Sequence, residues 1–227
     1  MFSSTTALRT ITLASAMAVT SAATAGRITR WGFENDGATL TANTFNFPVT
    51  ASAMAFGSGA SQAAGSFGNV LALDTYMSTD ESSALADAMS NDSYIEFGVT
   101  TDAGWSLDLN MVKFRLSGYD PDGEVTPPSV AWALRTDLDN FASDIGTGTN
   151  GVEFTEYEVE KISFSNLGFD TDSLQSITFR LYLSHWGTTS PTGAVVDQIQ
   201  LNGQMVPGPG GLLALTGMCL ARRRRRR

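Results

Sequence analysis

Apolar residues recur at every second position through much of this chain, and that period admits one kind of secondary structure. Ile95, Phe97 and Val99 alternate with Tyr94, Glu96 and Gly98, and Ile177, Phe179, Leu181 and Leu183 alternate with Thr178, Arg180, Tyr182 and Ser184. Successive side chains of a strand point to opposite faces, so each run reads as a strand with one face buried. The same reading predicts strands over 27–33, 45–49, 107–116, 130–135, 156–164 and 194–201. Between Leu109 and Val112 the apolar parity flips, which predicts a bulge or bend near Met111. Turn chemistry separates the runs at Asn35-Asp36-Gly37, Asp120-Pro121-Asp122-Gly123, Gly146-Thr147-Gly148 and Thr192-Gly193.

A single short helix is predicted over 79–89, with Ser78 and Glu81 as a capping box. The stretch 51–69, rich in Ala, Gly and Ser, reads as loop with at most one weak strand. About eight strands with almost no helix predict one all-β domain over 26–205, an antiparallel β-sandwich of jelly-roll type. Trp132, in phase with Val130 and Leu134, belongs to its core.

The two ends follow another pattern. Residues 1–25 carry Arg9, an apolar run from Ile11 to Val19 and then Ala23-Thr24-Ala25, the order of a secretory signal peptide, with cleavage expected before Gly26. Residues 206–227 carry Val206, Pro207, Gly208, Pro209 and Gly210, an apolar run from Gly211 to Ala221, and an arginine block opening with Arg222, Arg223 and Arg224 and running to Arg227. As a helix the apolar run would be about 17 Å long against a hydrocarbon core of about 30 Å, short for a permanent span. The positive-inside preference would hold the arginines in the cytoplasm and stall the exported body outside.

Taken together, signal peptide, Pro-rich motif, short apolar helix and terminal arginines resemble the PEP-CTERM sorting signal of Gram-negative bacteria that export extracellular polymer. The resemblance implies that an exosortase, a membrane protease-like transpeptidase, removes the tail after export through the secretion translocon. It implies a protein transiently anchored in the inner membrane and then placed at the cell surface or in the extracellular matrix, in a structural or adhesive role. Gly208 stands where the named motif has its central Glu. The body in turn resembles β-sandwich ectodomains found upstream of this signal, through Tyr94-Ile95-Glu96-Phe97, the 132–137 stretch, Phe179-Arg180-Leu181-Tyr182 and the closing 196–203. That likeness implies an architecture shared with many carbohydrate-binding modules, and a polysaccharide as partner.

Composition narrows the function further. The 227 residues hold one His (His185), one Cys (Cys219) and two Lys (Lys113, Lys161), which excludes a zinc cluster or a disulfide framework and makes a poor nucleic-acid binder. Loss of both ends would remove Arg9 and the six terminal arginines but none of the 23 acids, leaving a cysteine-free body with a formal charge of −16. Such a charge disfavours polyanions and favours a neutral polymer.

Catalysis finds little to work with. Ser184 and His185 are adjacent and would point to opposite faces, so they cannot pair as nucleophile and base, and His185 reads as an exposed or loop-edge residue. Glu156, Glu158 and Glu160 alternate at a spacing that suits a pair of glycosidase carboxylates, so a secreted carbohydrate-active enzyme is the alternative function, but the cluster reads first as a solvated strand face. Asp120-Pro121-Asp122-Gly123-Glu124 departs from EF-hand spacing and reads as an acidic turn.

Two binding sites are expected. Asp197 shares the parity of Val195, Ile199 and Leu201, and a charge on an apolar face needs a partner or a metal. Glu34 would approach it if the first and last strands are neighbours, giving oxygen ligands for a structural calcium; the competing readings are a salt bridge from Asp197 to Arg27 or Arg30, or a register one residue off. Tyr182 and Trp186, opposite in parity to Phe179 and Leu181, would stand on the solvent side as an aromatic platform for sugar.

Overall fold

The computed structural model describes residues 26–33, 40, 42–45, 48–63, 70–119, 129–150, 158–163, 174–187 and 193–207. In chain order the strands are β1 (Gly26–Gly32), β2 (Ala42–Thr44), β3 (Val49–Ala51), β4 (Ala55–Phe56), β5 (Ser61–Gln62), β6 (Leu71–Asp74), β7 (Tyr76–Met77), β8 (Tyr94–Thr101), β9 (Trp105–Tyr119), β10 (Ser129–Thr136), β11 (Gly146–Asn150), β12 (Glu158–Ser163), β13 (Ser176–Trp186) and β14 (Gly193–Pro207). Helix α1 (Glu81–Ser90) lies between β7 and β8. They form a mostly antiparallel β-sandwich of two sheets. One sheet has the order β12-β9-β14-β1-β2, with β6 beside β14 and β5 beside β6. The other has the order β11-β10-β13-β8-β3, with β4 on β8. Only β7, which runs along β13, pairs in parallel among the described strands.

The alternation explains the layers. Trp31, Phe114, Leu116, Ile199 and Leu201 of the first sheet face Ile95, Phe97, Trp132, Phe179 and Leu181 of the second, all buried in one core. Among the described residues two aromatic contacts join the sheets, Trp31 with Phe97 (ring centroids 5.2 Å apart) and Phe114 with Trp132 (5.0 Å), both edge to face. That geometry adds about 1 kcal/mol per pair to the burial itself.

Three bulges let long strands keep this pattern. On β9, Leu109 faces Gly203 and Met111 faces Asn202, so Asn110 is the extra residue and Leu109 and Val112 both reach the core, as the parity flip predicts. On β1, Arg27 faces Asn202 and Thr29 faces Leu201, which makes Ile28 the extra residue and puts Arg27 and Arg30 on one outer face. On β14, Val196 faces Leu116 and Gln198 faces Arg115, leaving Asp197 as the inserted residue.

Elsewhere the structure departs from the sequence pattern for identifiable reasons. Gly146-Thr147-Gly148 is no turn but part of β11, an edge strand closing over Trp132. A Cβ at Gly148 would come within 2.7 Å of Trp132 Nε1, so the glycine is there for close approach rather than for turning. The helix is capped by Asp80, whose side chain accepts from the Ser83 N–H at 3.0 Å. Ser78, buried, instead donates to Asp87 Oδ2 at 2.6 Å and fastens the helix to the chain before it. Within 51–69, β4 and β5 are formed as well as the end of β3. At the other end β14 runs on through Val206 and Pro207, opposite Ser106 and Trp105. The apolar run 211–221, predicted as a short helix, lies outside the described residues, as do the signal peptide, Gly208, Pro209, Gly210 and the arginine block with Arg222, Arg223 and Arg224.

Candidate functional site

Each sheet has an outer face, and the two differ in what covers them. On the second sheet α1 lies across β10 and β13. Tyr182 is 5% exposed, packed with Ala88, Ala133, Leu85, Met89 and Tyr94, so it presents no face to solvent. Period two placed its ring on the correct side of the sheet; it could not show that a helix covers that side. Trp186 is half-buried at the end of β13, opposite Ser129, and Ser184 between the two rings is wholly buried. The basic residues of this face are engaged internally. Arg180 Nε donates to Glu96 at 2.8 Å and its guanidinium lies 4.0 Å from the Phe141 ring centroid and 4.5 Å from that of Tyr94. Arg135 is bound to Asp144 at 2.6 Å and to the Phe141 carbonyl.

His185 is not at an exposed edge. It is 2% exposed, on the interior face with Leu181 and Leu183, and its Nδ1 lies 2.9 Å from Thr75 Oγ1. Burial alone pushes its pKa down to about 4, so the ring is neutral at ordinary pH. Ser184 and His185 point to opposite faces, as expected, and form no nucleophile and base pair. Of the glutamates weighed for glycoside hydrolysis, Glu160 stands opposite Phe114 on β12, and Glu156 lies outside the described residues.

β1 and β14 are indeed neighbours. Asp197, however, leaves the apolar face, because its bulge shifts the parity: Ala194 and Val196 face the core before it, Ile199 and Leu201 after it. Asp197 Oδ2 instead accepts from Arg115 Nη1 at 2.9 Å, with the side chains 20% and 42% exposed. The expected partners were Arg27 or Arg30; a bulge is invisible to a parity count made along one strand. Glu34, the other expected calcium ligand, lies outside the described residues, and among the described residues no three His, Cys, Asp or Glu side chains converge.

The outer face of the first sheet is different. Register aligns one row of residues straight across five strands: Lys161 on β12, Lys113 on β9, Gln200 on β14, Arg30 on β1 and Asn43 on β2. At about 4.8 Å per strand the row is roughly 19 Å long. Beside it run Arg115 and Gln198 on one flank, Met111, Asn202 and Arg27 on the other. Gln198, Gln200, Asn202 and Gln204 thus make a line of amides along β14. With the Gln198 oxygen turned toward it, Arg30 donates from Nε and Nη2. Gln200 donates to Asn202, and Gln204 to Asp108. Arg27 lies over the Phe45 ring at 5.1 Å.

Arg27, Arg30, Lys113, Arg115 and Lys161 share this face, and its described acids are Asp74 at the end of β6, Asp108, which accepts from Gln204, and Asp197, which accepts from Arg115. The expectation that an acidic body turns polyanions away counts charge over the whole body; on this face the five described cations outnumber the three described acids. Parity alone marks Gln198, Gln200 and Asn202 as outward, so half of this surface was readable; the alignment of Lys161, Lys113 and Arg30 with them needed the strand order.

No family model matches the chain, and no curated protein matches it. Among solved structures it is similar to a family 35 carbohydrate binding module from Clostridium thermocellum, at 10% identity and a TM-score of 0.37, covering 65% of this chain and 90% of that one. It is also similar to a non-crystalline cellulose specific carbohydrate-binding module, CBM28, at 12% identity and a TM-score of 0.34, covering 64% and 87%.

Proposed function

We propose that this chain is an exported, non-catalytic surface protein whose β-sandwich binds polysaccharide in the extracellular matrix. The observation that carries the reading is the row that register aligns across the outer face of the first sheet, Lys161, Lys113, Gln200, Arg30 and Asn43. It is roughly 19 Å long and made of amides and cations, the donors and acceptors that sugar hydroxyls need, with Gln200 itself buried among its neighbours. The opposite outer face is filled by its own helix and ion pairs.

Export rests on the sequence at both ends, the signal-peptide order of residues 1–25 and the Pro-rich, apolar and arginine order of residues 206–227. Translocon and exosortase-like transpeptidase would act on segments flanking the sheets. With Val206 and Pro207 paired to β9, removal of the chain beyond Pro209 would leave β14 whole.

Fractionation of the producing cell, with intact-mass measurement of the surface protein, tests export. The expected mass lacks residues 1–25 and the arginine block. A full-length chain recovered from the cytosol refutes it. Retardation of the purified full chain in gels containing polysaccharide tests binding; unchanged mobility on every neutral and charged polymer refutes it.

A further inference from the structure

We infer that the bound polymer is acidic, and that Lys113 and Lys161 form the seat for its carboxylate groups, with Arg30 serving a second carboxylate farther along the row. The inference rests on the body being a polysaccharide binder and adds the ligand class and the residues that select it.

The chain has two lysines, and the fold sets them directly opposite each other on β9 and β12. Directly opposed residues of antiparallel strands have Cβ atoms about 5 Å apart, and like charges there repel. A lysine on an edge strand such as β12 has a common use as a guard against edge pairing. Lys113 has no such use, because β9 is covered by β12 on one side and β14 on the other. Among the described residues neither ammonium has an ion pair, and Glu160, next to Lys161 in sequence, stands opposite Phe114 on the other face of β12. A repulsive pair kept on the outer face of a sheet, with Lys161 exposed and Lys113 half-buried, is the arrangement an anion relieves.

The neighbours select a sugar acid rather than a bare anion. Gln200 stands beside Lys113 and Arg30 beside Gln200, so cation, amide and cation succeed one another across the strands. The Arg30 side chain lies over Gly32, where the missing side chain leaves its guanidinium close to the sheet. Gln200, between the cations, is buried and donates to Asn202, so the half-buried amides of Gln198 and Asn202 on either side of it are the ones that meet hydroxyls on the residues separating charges in a uronic-acid polymer.

The test is affinity electrophoresis of the purified full-length chain in polygalacturonate, dextran and dextran sulfate, with Lys113→Gln/Lys161→Gln and Arg30→Gln beside the wild type. The six terminal arginines are common to all and cancel in the comparison. Polygalacturonate is expected to retard the wild type more than dextran does. At about two- to fivefold per exposed cation, the double variant loses about tenfold in affinity and Arg30→Gln two- to fivefold. Thermal melting of the double variant at an equal or higher midpoint shows that the lysines are not there for stability. Equal retardation of wild type and a folded double variant overturns the inference, as does an equal loss on dextran sulfate, which would mean that the face reads charge alone. Binding of dextran with no preference for polygalacturonate overturns the acidic ligand but leaves the polysaccharide reading standing, whereas no retardation on any polymer removes both. Self-association that the double variant abolishes, without any effect of polymer, assigns the face to a second copy of the chain and overturns the inference.

Discussion

Lowering the pH through the range where histidine ordinarily titrates should destabilise this protein through one residue. His185 is buried on the interior face of β13, and its pKa falls from 6.5 to about 4 because the charged ring would be desolvated. The sign follows from linkage. Below pH 6.5 the unfolded chain takes up a proton that the native state refuses, so the contribution is complete above 6.5 and is lost as the pH falls through the folded value. Each pH unit of that gap is worth about 1.4 kcal/mol, giving a loss of about 2 kcal/mol at pH 5 and about 3 kcal/mol at pH 4. Acidic side chains also titrate there, so the quantity to measure is the difference between the wild type and His185→Gln in urea denaturation at pH 7.5, 6 and 5. The variant pays a fixed cost at all three, and the wild type should lose about 2 kcal/mol relative to it by pH 5. As the chain has one histidine, its Cε1 proton resonance can be followed without assignment and should show a midpoint near 4. A midpoint near 6.5, or a difference that does not change with pH, would refute the burial argument.

Other consequences concern the core and the residues near the two faces. Gly148→Ala forces a methyl group against Trp132 in a packed edge and should cost about 1–3 kcal/mol, read as a fall of roughly 2–10 °C in melting temperature; an unchanged midpoint would show that β11 can move away. Tyr182→Ala should cost about 3 kcal/mol by emptying the space beneath α1, whereas Tyr182→Phe should leave both stability and polymer retention near wild type. Loss of retention in a stable Tyr182→Phe protein would return the ring to the binding surface. Asp197→Asn removes a half-exposed ion pair with Arg115 and should cost less than about 1 kcal/mol. Since Arg115 already compensates Asp197, millimolar calcium should leave the melting temperature within about 1 °C of its metal-free value; a clear rise would mean that the carboxylate prefers the ion.

Sequence reasoning reached the layers of this fold because a strand's periodicity is local. Leu181 and Leu183 in phase, Trp132 in phase with Val130, and the flip at Asn110 all follow from neighbours two residues away. Pairing is not local, and there the readings diverged. Asp197 was placed on the core face because the bulge that turns it outward is defined against Leu116 and Arg115 on β9. Tyr182 was placed in solvent because α1, about 100 residues earlier in the chain, folds over it. The glycines of β11 resembled a turn because glycine serves both turning and close approach, and only the position of Trp132 tells the two apart. The row Lys161, Lys113, Gln200, Arg30 and Asn43 is drawn from five strands, so no window of sequence contains it.

Backbone amide shift mapping of the purified full-length chain, titrated with oligogalacturonate, tests the central claim most directly. Perturbations should centre on Lys113, Lys161, Gln198, Gln200 and Arg30 on the outer face of the first sheet, and the amides of α1 and of β13 around Tyr182 should stay still. Shifts clustered at α1 or Trp186, or confined to the terminal arginines, would contradict the account.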